Sequence, residues 1–153
     1  MPADSRNPIL DAVNLRLLEE LGENPRLSMS ELGRRVSMSA PAVTERVQRL
    51  EQAGVIKGYR LELDPAALGL PVTALVRVRP GPGQLAAVAD TARDTPLVVE
   101  CHRITGEDCY LLTVHAAGLA ELEEVLDRFA LYGQTTTSIV VSTPVPHRQP
   151  PLA

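Results

Sequence analysis

The stretch SMSELGRRVSMSAPAVTERVQRLE, residues 28–51, decides the fold of the N-terminal part of this chain. Ser28 followed three residues later by Glu31 is a capping-box pattern that starts a helix. Leu32 and Val36 recur at i, i+4 as a buried stripe. Ser37-Met38-Ser39 is the turn. Ser39 is placed to cap a second helix, and Pro41 is tolerated there because the first turn has no intrahelical partner for its missing amide. Val43, Val47 and Leu50 (i, i+4, i+7) point inward. Thr44, Arg46, Gln48 and Arg49 fall on the other faces. Two short amphipathic helices joined by a tight turn, the second carrying arginines, form a helix-turn-helix, which lays its second helix in a DNA major groove.

Working outward, residues 1–8 read as a flexible tail. A first helix is expected over about Asp11–Leu21, with Val13, Leu17 and Leu21 on one stripe, ended by Glu23-Asn24-Pro25. Beyond Gly54, two short extended pieces around Lys57-Gly58 are expected to form a small wing. Residues 59–63 alternate, Tyr59, Leu61 and Leu63 against Arg60 and Glu62, as a half-buried strand does. Asp64-Pro65 opens a helical turn closed by Gly69.

From Pro71 the pattern becomes strand 72–78, helix 84–94, strands 97–104 and 109–115 joined by the turn Thr105–Asp108, helix 119–130 and strand 134–142. Leu85, Val88, Ala89 and Ala92 are expected inward on the first helix; Leu119, Leu122, Val125, Leu126 and Phe129 on the second. The order is β-α-β-β-α-β, a ferredoxin-like split unit. The fold class is therefore α+β. A winged helix-turn-helix occupies 9–58, a linker strand and turn 59–70, a ferredoxin-like domain 71–145, and a proline-rich tail 146–153. Two helices cover one sheet face. The other is left to a second subunit.

Composition narrows the function. The chain has 153 residues, 44% hydrophobic and 22% charged, and a net charge of −4, normal for a globular protein. No apolar run spans a bilayer, and MPADSRNP lacks the core of a signal peptide, which places the chain in the cytoplasm and away from membranes. Residues 1–60 carry nine Lys/Arg and eight Asp/Glu, whereas 61–153 carry six and eleven. A mildly basic head on an acidic body suits DNA binding by two heads acting together. One Phe, three Tyr and no Trp leave the sheet without the aromatic platform of a single-strand RNA binder. Cys101 and Cys109 fit a cross-strand disulfide or two small core or interface residues. His102, His115 and His147 are scattered, with no metal-ligand spacing. No phosphate loop or nucleophile elbow is present, so no enzyme is expected.

LDAVNLRLLEEL at 10–21, LSMSELGRRVSMSAPAVTERVQRLEQAGVIKGYRLELDPAALG at 27–69, VTALVRV at 72–78 and VVECHRITGEDCYLLTV at 98–114 together resemble the Lrp/AsnC family, the leucine-responsive and asparagine-operon or feast/famine regulators. The resemblance implies a sequence-specific DNA-binding transcriptional regulator modulated by an amino acid or related metabolite, without a further cofactor. It implies homo-oligomers: dimers that stack into tetramers, octamers or larger rings. Ser39, Ala40 and Thr44 then meet base edges while Arg46, Arg49 and, in the wing, Lys57 hold phosphates. The effector loop is Ile104, Thr105, Gly106, Glu107 and Asp108, with Thr135 and Thr137 on the last strand as further candidates. Relatives often carry an aspartate three residues after the loop glycine, where this chain has Cys109; Glu107 and Asp108 are the acidic groups left for an ammonium. Asn14 stands where relatives usually carry an aspartate, a change expected to touch only local packing. The alternative is a metabolite-binding oligomeric interaction module without specific DNA binding.

Overall fold

The computed structural model describes residues 8–152, so the expected flexible tail lies, save for Pro8, outside the described residues. The chain forms two units: one runs through Leu61 and takes back the segment from His147, and the other is Glu62–Pro146.

The first unit holds α1 (Ala12–Glu23), α2 (Met29–Val36) and α3 (Ala40–Gln52). Each start is capped by an oxygen accepting a backbone amide: Asp11 from Asn14, Ser28 from Glu31 and Ser39 from Ala42. Such caps satisfy amides that have no partner inside the helix. Only half of the expected capping box forms, because the Glu31 carboxylate turns to Arg34 and Arg35 instead. Leu17, Leu21, Leu32, Val43 and Val47 form the core, with Val13, Val36, Met38 and Ile56 packed against it. The turn is tight. A Cβ on Gly33 would come within 2.5 Å of the Met38 carbonyl oxygen, and Ser37 adopts a left-handed conformation, φ 58°.

The two extended pieces expected around Lys57-Gly58 do not pair as strands. After α3, Gly54 (φ 71°) turns the chain, and the amides of Val55 and Ile56 both donate to the Leu50 carbonyl. These bonds close the helix end and draw Ile56 into the core, so no strand is left on that side of Lys57-Gly58. Residues 59–63 also depart from expectation. They form no strand, and Tyr59, Leu61 and Leu63 are 53, 80 and 55% exposed. Their alternation suits a pleated surface, but among the described residues no neighbouring strand pairs with them.

The second unit begins with a short 3₁₀ turn, Ala66–Leu68. It continues with β1 (Val72–Pro80), α4 (Leu85–Arg93), β2 (Val98–Arg103), β3 (Tyr110–Ala116), α5 (Leu119–Ala130) and β4 (Gly133–Ile139). The antiparallel sheet has the order β2-β3-β1-β4. Its inner side, Ala74, Val76, Val78, Leu112, Val114 and Ala116, packs on Val88, Leu122, Val125 and Phe129 of the two helices. Leu85 and Leu119, expected inward, are instead exposed, because each is the first residue of its helix and lies beyond the packed stripe. Among the described residues, no helix is long and apolar enough to cross a membrane.

Register removes the disulfide reading. Cys101 faces Leu112, and Arg103 faces Tyr110, so Cys109 lies beyond the strand pair and both thiols are free. Burial pushes the Cys101 thiol up from its ordinary value, despite the Arg93 charge nearby.

Candidate nucleic-acid interface and effector loop

In the first unit, α3 turns Pro41, Glu45, Gln48, Arg49 and Gln52 to solvent. Ser39 spends its hydroxyl oxygen on the Ala42 amide. The Thr44 hydroxyl donates to the Ala40 carbonyl at 2.8 Å; rotating that donor away would free it for a base edge. Arg49 pairs with Glu45 at 2.6 Å, both well exposed, a surface pair worth only about 0–1 kcal/mol. Lys57 is exposed. Arg49 and Lys57 can therefore swing to a phosphate at small cost.

Arg46 is different. Its Nη1 donates to Asp11 Oδ2 at 2.7 Å and to Asn14 Oδ1 at 3.0 Å. Hydrogen bonding to Arg46, aided by the Asn14 amide and the guanidinium charge, holds the Asp11 carboxyl below its usual value. Asn14 is buried, and its Nδ2 donates to the Ile9 carbonyl at 2.7 Å. The expectation that Asn14 touches only local packing is thus corrected: it reaches across to α3. Arg46, Arg49, Ala42, Glu45 and Met38 line an open groove of about 370 Å³ beside Pro8, Ile9, Asp11 and Asn14. A second clamp sets α2 against α1. Glu20, 5% exposed, accepts from Arg35 at 2.6 Å and also pairs with Arg16. The Arg35 hydrogen bond, together with both arginine charges, lowers the Glu20 carboxyl against the opposing effect of burial.

In the second unit, Gly106 takes φ 106° and has open space around it, as glycine alone does freely. Thr105 is exposed, and the Ile104 amide donates to the Cys109 carbonyl, closing the loop. The acidic residues are not vacant. Glu107 pairs with Arg79 at 2.6 Å, and Asp108 lies 3.5 Å from Arg79 and 3.9 Å from Arg77. Thr135 and Thr137 do not join them. They oppose Val78 and Val76, whose side chains are buried under the helices, whereas Arg77 and Arg79 point to the open face. Directly opposed residues share a face, so Thr136, opposite Arg77, is the threonine of this strand on the open face with the arginines.

Sequence reasoning missed Asp11 and Asn14 as holders of Arg46, and Arg77 and Arg79 as holders of the loop. The second pair was readable, since VTALVRVRP alternates and puts both arginines on one face. Among the described residues, no group of three His, Cys, Asp or Glu is placed to hold a metal.

Comparison with known proteins agrees with this layout. Residues 10–57 match the winged helix-turn-helix DNA-binding model, and residues 73–150 match the Lrp/AsnC ligand binding domain. The HTH-type transcriptional regulator LrpC of Bacillus subtilis is 39% identical over 133 residues, covering 87% of this chain and 92% of the relative. Its structure superposes with a TM-score of 0.83 over 88% of this chain and 96% of that one. The leucine-responsive regulatory protein of Haemophilus influenzae is 36% identical over 79% of this chain and 75% of its own length. A transcriptional regulator of Neisseria meningitidis, solved in complex with L-Met, is 28% identical, with a TM-score of 0.82 over 91% and 94% of the two chains. With a DNA-binding head and a ligand-binding domain both matched, this chain belongs to the Lrp/AsnC family of helix-turn-helix transcriptional regulators.

Proposed function

We propose that two copies of this chain, joined through the open sheet face, set their α3 helices into successive major grooves of a roughly palindromic site. An amino acid or related metabolite at the second unit then shifts assembly or head spacing. The protein acts in the cytoplasm, by binding rather than by catalysis. The observation that carries the reading is the side of α3 beside the groove. There Arg49 and the outer edge of Arg46 supply donors for phosphates, while Ser39, Ala40 and Thr44 stand at the helix start, where base edges are read. An exposed Leu75 beside Thr73, Arg77 and Thr113 on the open face supports a subunit contact there. A leucine-responsive relative and a methionine-bound one support an amino-acid effector. Gly106 supports its placement, because its backbone can approach a carboxylate closely. Arg79 and the Glu107–Asp108 pair supply both charges that an amino acid needs.

Fluorescence anisotropy on DNA from upstream of the protein's own gene tests both halves. It is run at two salt concentrations, with and without a pool of the twenty amino acids. Specific, salt-steep binding that the pool alters is expected. Binding that the pool leaves unchanged removes the amino-acid effector. No specific binding there or in a genome-wide fragment selection removes the DNA reading.

A further inference from the structure

Asn14 sits at a junction that packing alone does not require. Its Nδ2 donates to the Ile9 carbonyl, its backbone amide donates to Asp11 Oδ1 at 2.7 Å, and its Oδ1 accepts from Arg46 Nη1. Both ends of the side chain are specified, since only the nitrogen can donate to a carbonyl and only the oxygen can accept from a guanidinium. A guanidinium carries five donors in a planar fork. The two bonds described above use Nη1 alone, and among the described residues Nε and Nη2 of Arg46 have no partner. The Arg46 side chain keeps 30% of its surface exposed, and it lines the groove shared with Arg49. Asp11 is the one carboxylate paired with Arg46 among the described residues, and its side chain is about half exposed, at 49%.

We propose that Asn14 is a positioning residue for DNA binding. As a neutral acceptor it fixes Arg46 by Nη1 and leaves the Nε–Nη2 edge, with part of its charge, for a backbone phosphate in the groove between the start of α1 and α3. The inference rests on the DNA-binding reading of α3. A carboxylate at position 14 would enclose the guanidinium between two negative charges and remove its share in phosphate neutralisation. A carboxamide at position 11 would do the reverse, because asparagine still caps the helix but no longer competes with the phosphate.

The test uses the full chain and a duplex that the wild type binds, with anisotropy followed across a salt series. Asn14→Asp is expected to bind about tenfold more weakly, and the slope of log K against log salt becomes shallower by about one for each head. Asn14→Leu loses the same Ile9 bond and the acceptor for Arg46 without adding charge, so it weakens binding through lost positioning while its slope falls less than that of Asn14→Asp. Asp11→Asn binds several-fold more tightly, an outcome that loss of folding cannot produce. In an Arg46→Ala background the swaps at 11 and 14 lose their effect on the slope. Equal slopes for Asn14→Asp and Asn14→Leu, or weaker binding by Asp11→Asn in a head that melts normally, overturn the proposal. If the wild type binds no duplex in a salt-dependent way, the DNA reading itself fails, and this inference with it.

Discussion

Both units place arginines beside carboxylates, but at different depths. In the head, Glu20 is almost fully buried between Arg16 and Arg35, and Arg46 is held by Asp11 and by the buried Asn14. In the sheet unit, Arg79 meets a Glu107 side chain that is 80% exposed, and its second partner, Asp108, is held less closely. Deep pairs fix geometry, because breaking one leaves a charge without water. Exposed pairs are weak and exchange readily with a ligand. The head is thus built to hold three helices in one arrangement, and the loop is built to let its partners change.

The largest break in this contrast comes from glycine. Gly33→Val pushes a side chain into the Met38 carbonyl and is expected to cost about 3 kcal/mol or more, read as a lowered midpoint in thermal unfolding. Gly106→Ala meets no atom and strains only a positive φ, at about 1–2 kcal/mol. Equal losses would erase the distinction between a framework glycine and a loop glycine.

Next come the arginines of α3. Arg46→Ala and Arg49→Ala are each expected to weaken DNA binding about tenfold and flatten its salt dependence. Only Arg46→Ala should also lower the melting point of the head, because it leaves Asn14 Oδ1 buried without its donor. Wild-type affinity and slope in both variants would remove α3 as the DNA-contacting helix. Equal melting points would show that the Asp11–Asn14–Arg46 junction carries no structural weight.

Acid sharpens the comparison further. The folded Glu20 carboxyl is held below its unfolded value of 4.5 by Arg35 and Arg16. Its contribution is therefore complete above about pH 4.5 and is lost as pH falls through the lower, folded value. Melting of the wild type followed from pH 6 to pH 3, about the range in which carboxylates titrate, should fall more steeply than that of Glu20→Gln. Parallel curves would place the acid sensitivity elsewhere.

How much of this was legible in the sequence follows from the range of each interaction. The caps at Ser28 and Ser39, the turn and the apolar stripes of α1 to α3 are set by near neighbours and read correctly, whereas Asp11, read as the first helical residue, is the cap of α1. The strand pair expected around Lys57-Gly58 is missing because Ile56 is claimed by a core that spans α1 to α3, which no local pattern reports. Residues 59–63 show a strand's alternation, but alternation reports what could be covered, and among the described residues nothing covers them. The Asn14–Arg46 bond joins residues 32 apart and has no signature in either stretch. In the second unit, element order was readable, whereas the faces of Thr135 and Thr137 depend on the β1–β4 register, and register came only with the fold. The same dependence separated Cys101 from Cys109.

The smallest expected effect is also the sharpest discriminator between the two kinds of ion pair. Arg79→Ala removes both the Glu107 pair and the closer of the two contacts to Asp108. Because Glu107 is largely exposed and Arg79 about half exposed, the stability loss should stay near or below about 1 kcal/mol, within a few degrees of melting temperature. The effect should instead appear in effector titrations. With Arg79 gone, the two loop carboxylates lose their nearest cation, and an amino acid's ammonium meets them uncompensated, while its carboxylate loses a guanidinium. Calorimetry with the amino acid that alters DNA binding should then show changed affinity, against near-constant stability. A destabilisation of 2–3 kcal/mol with unchanged effector affinity would reverse the assignment: the loop pair would be framework, and the exchangeable charges would lie elsewhere in the second unit.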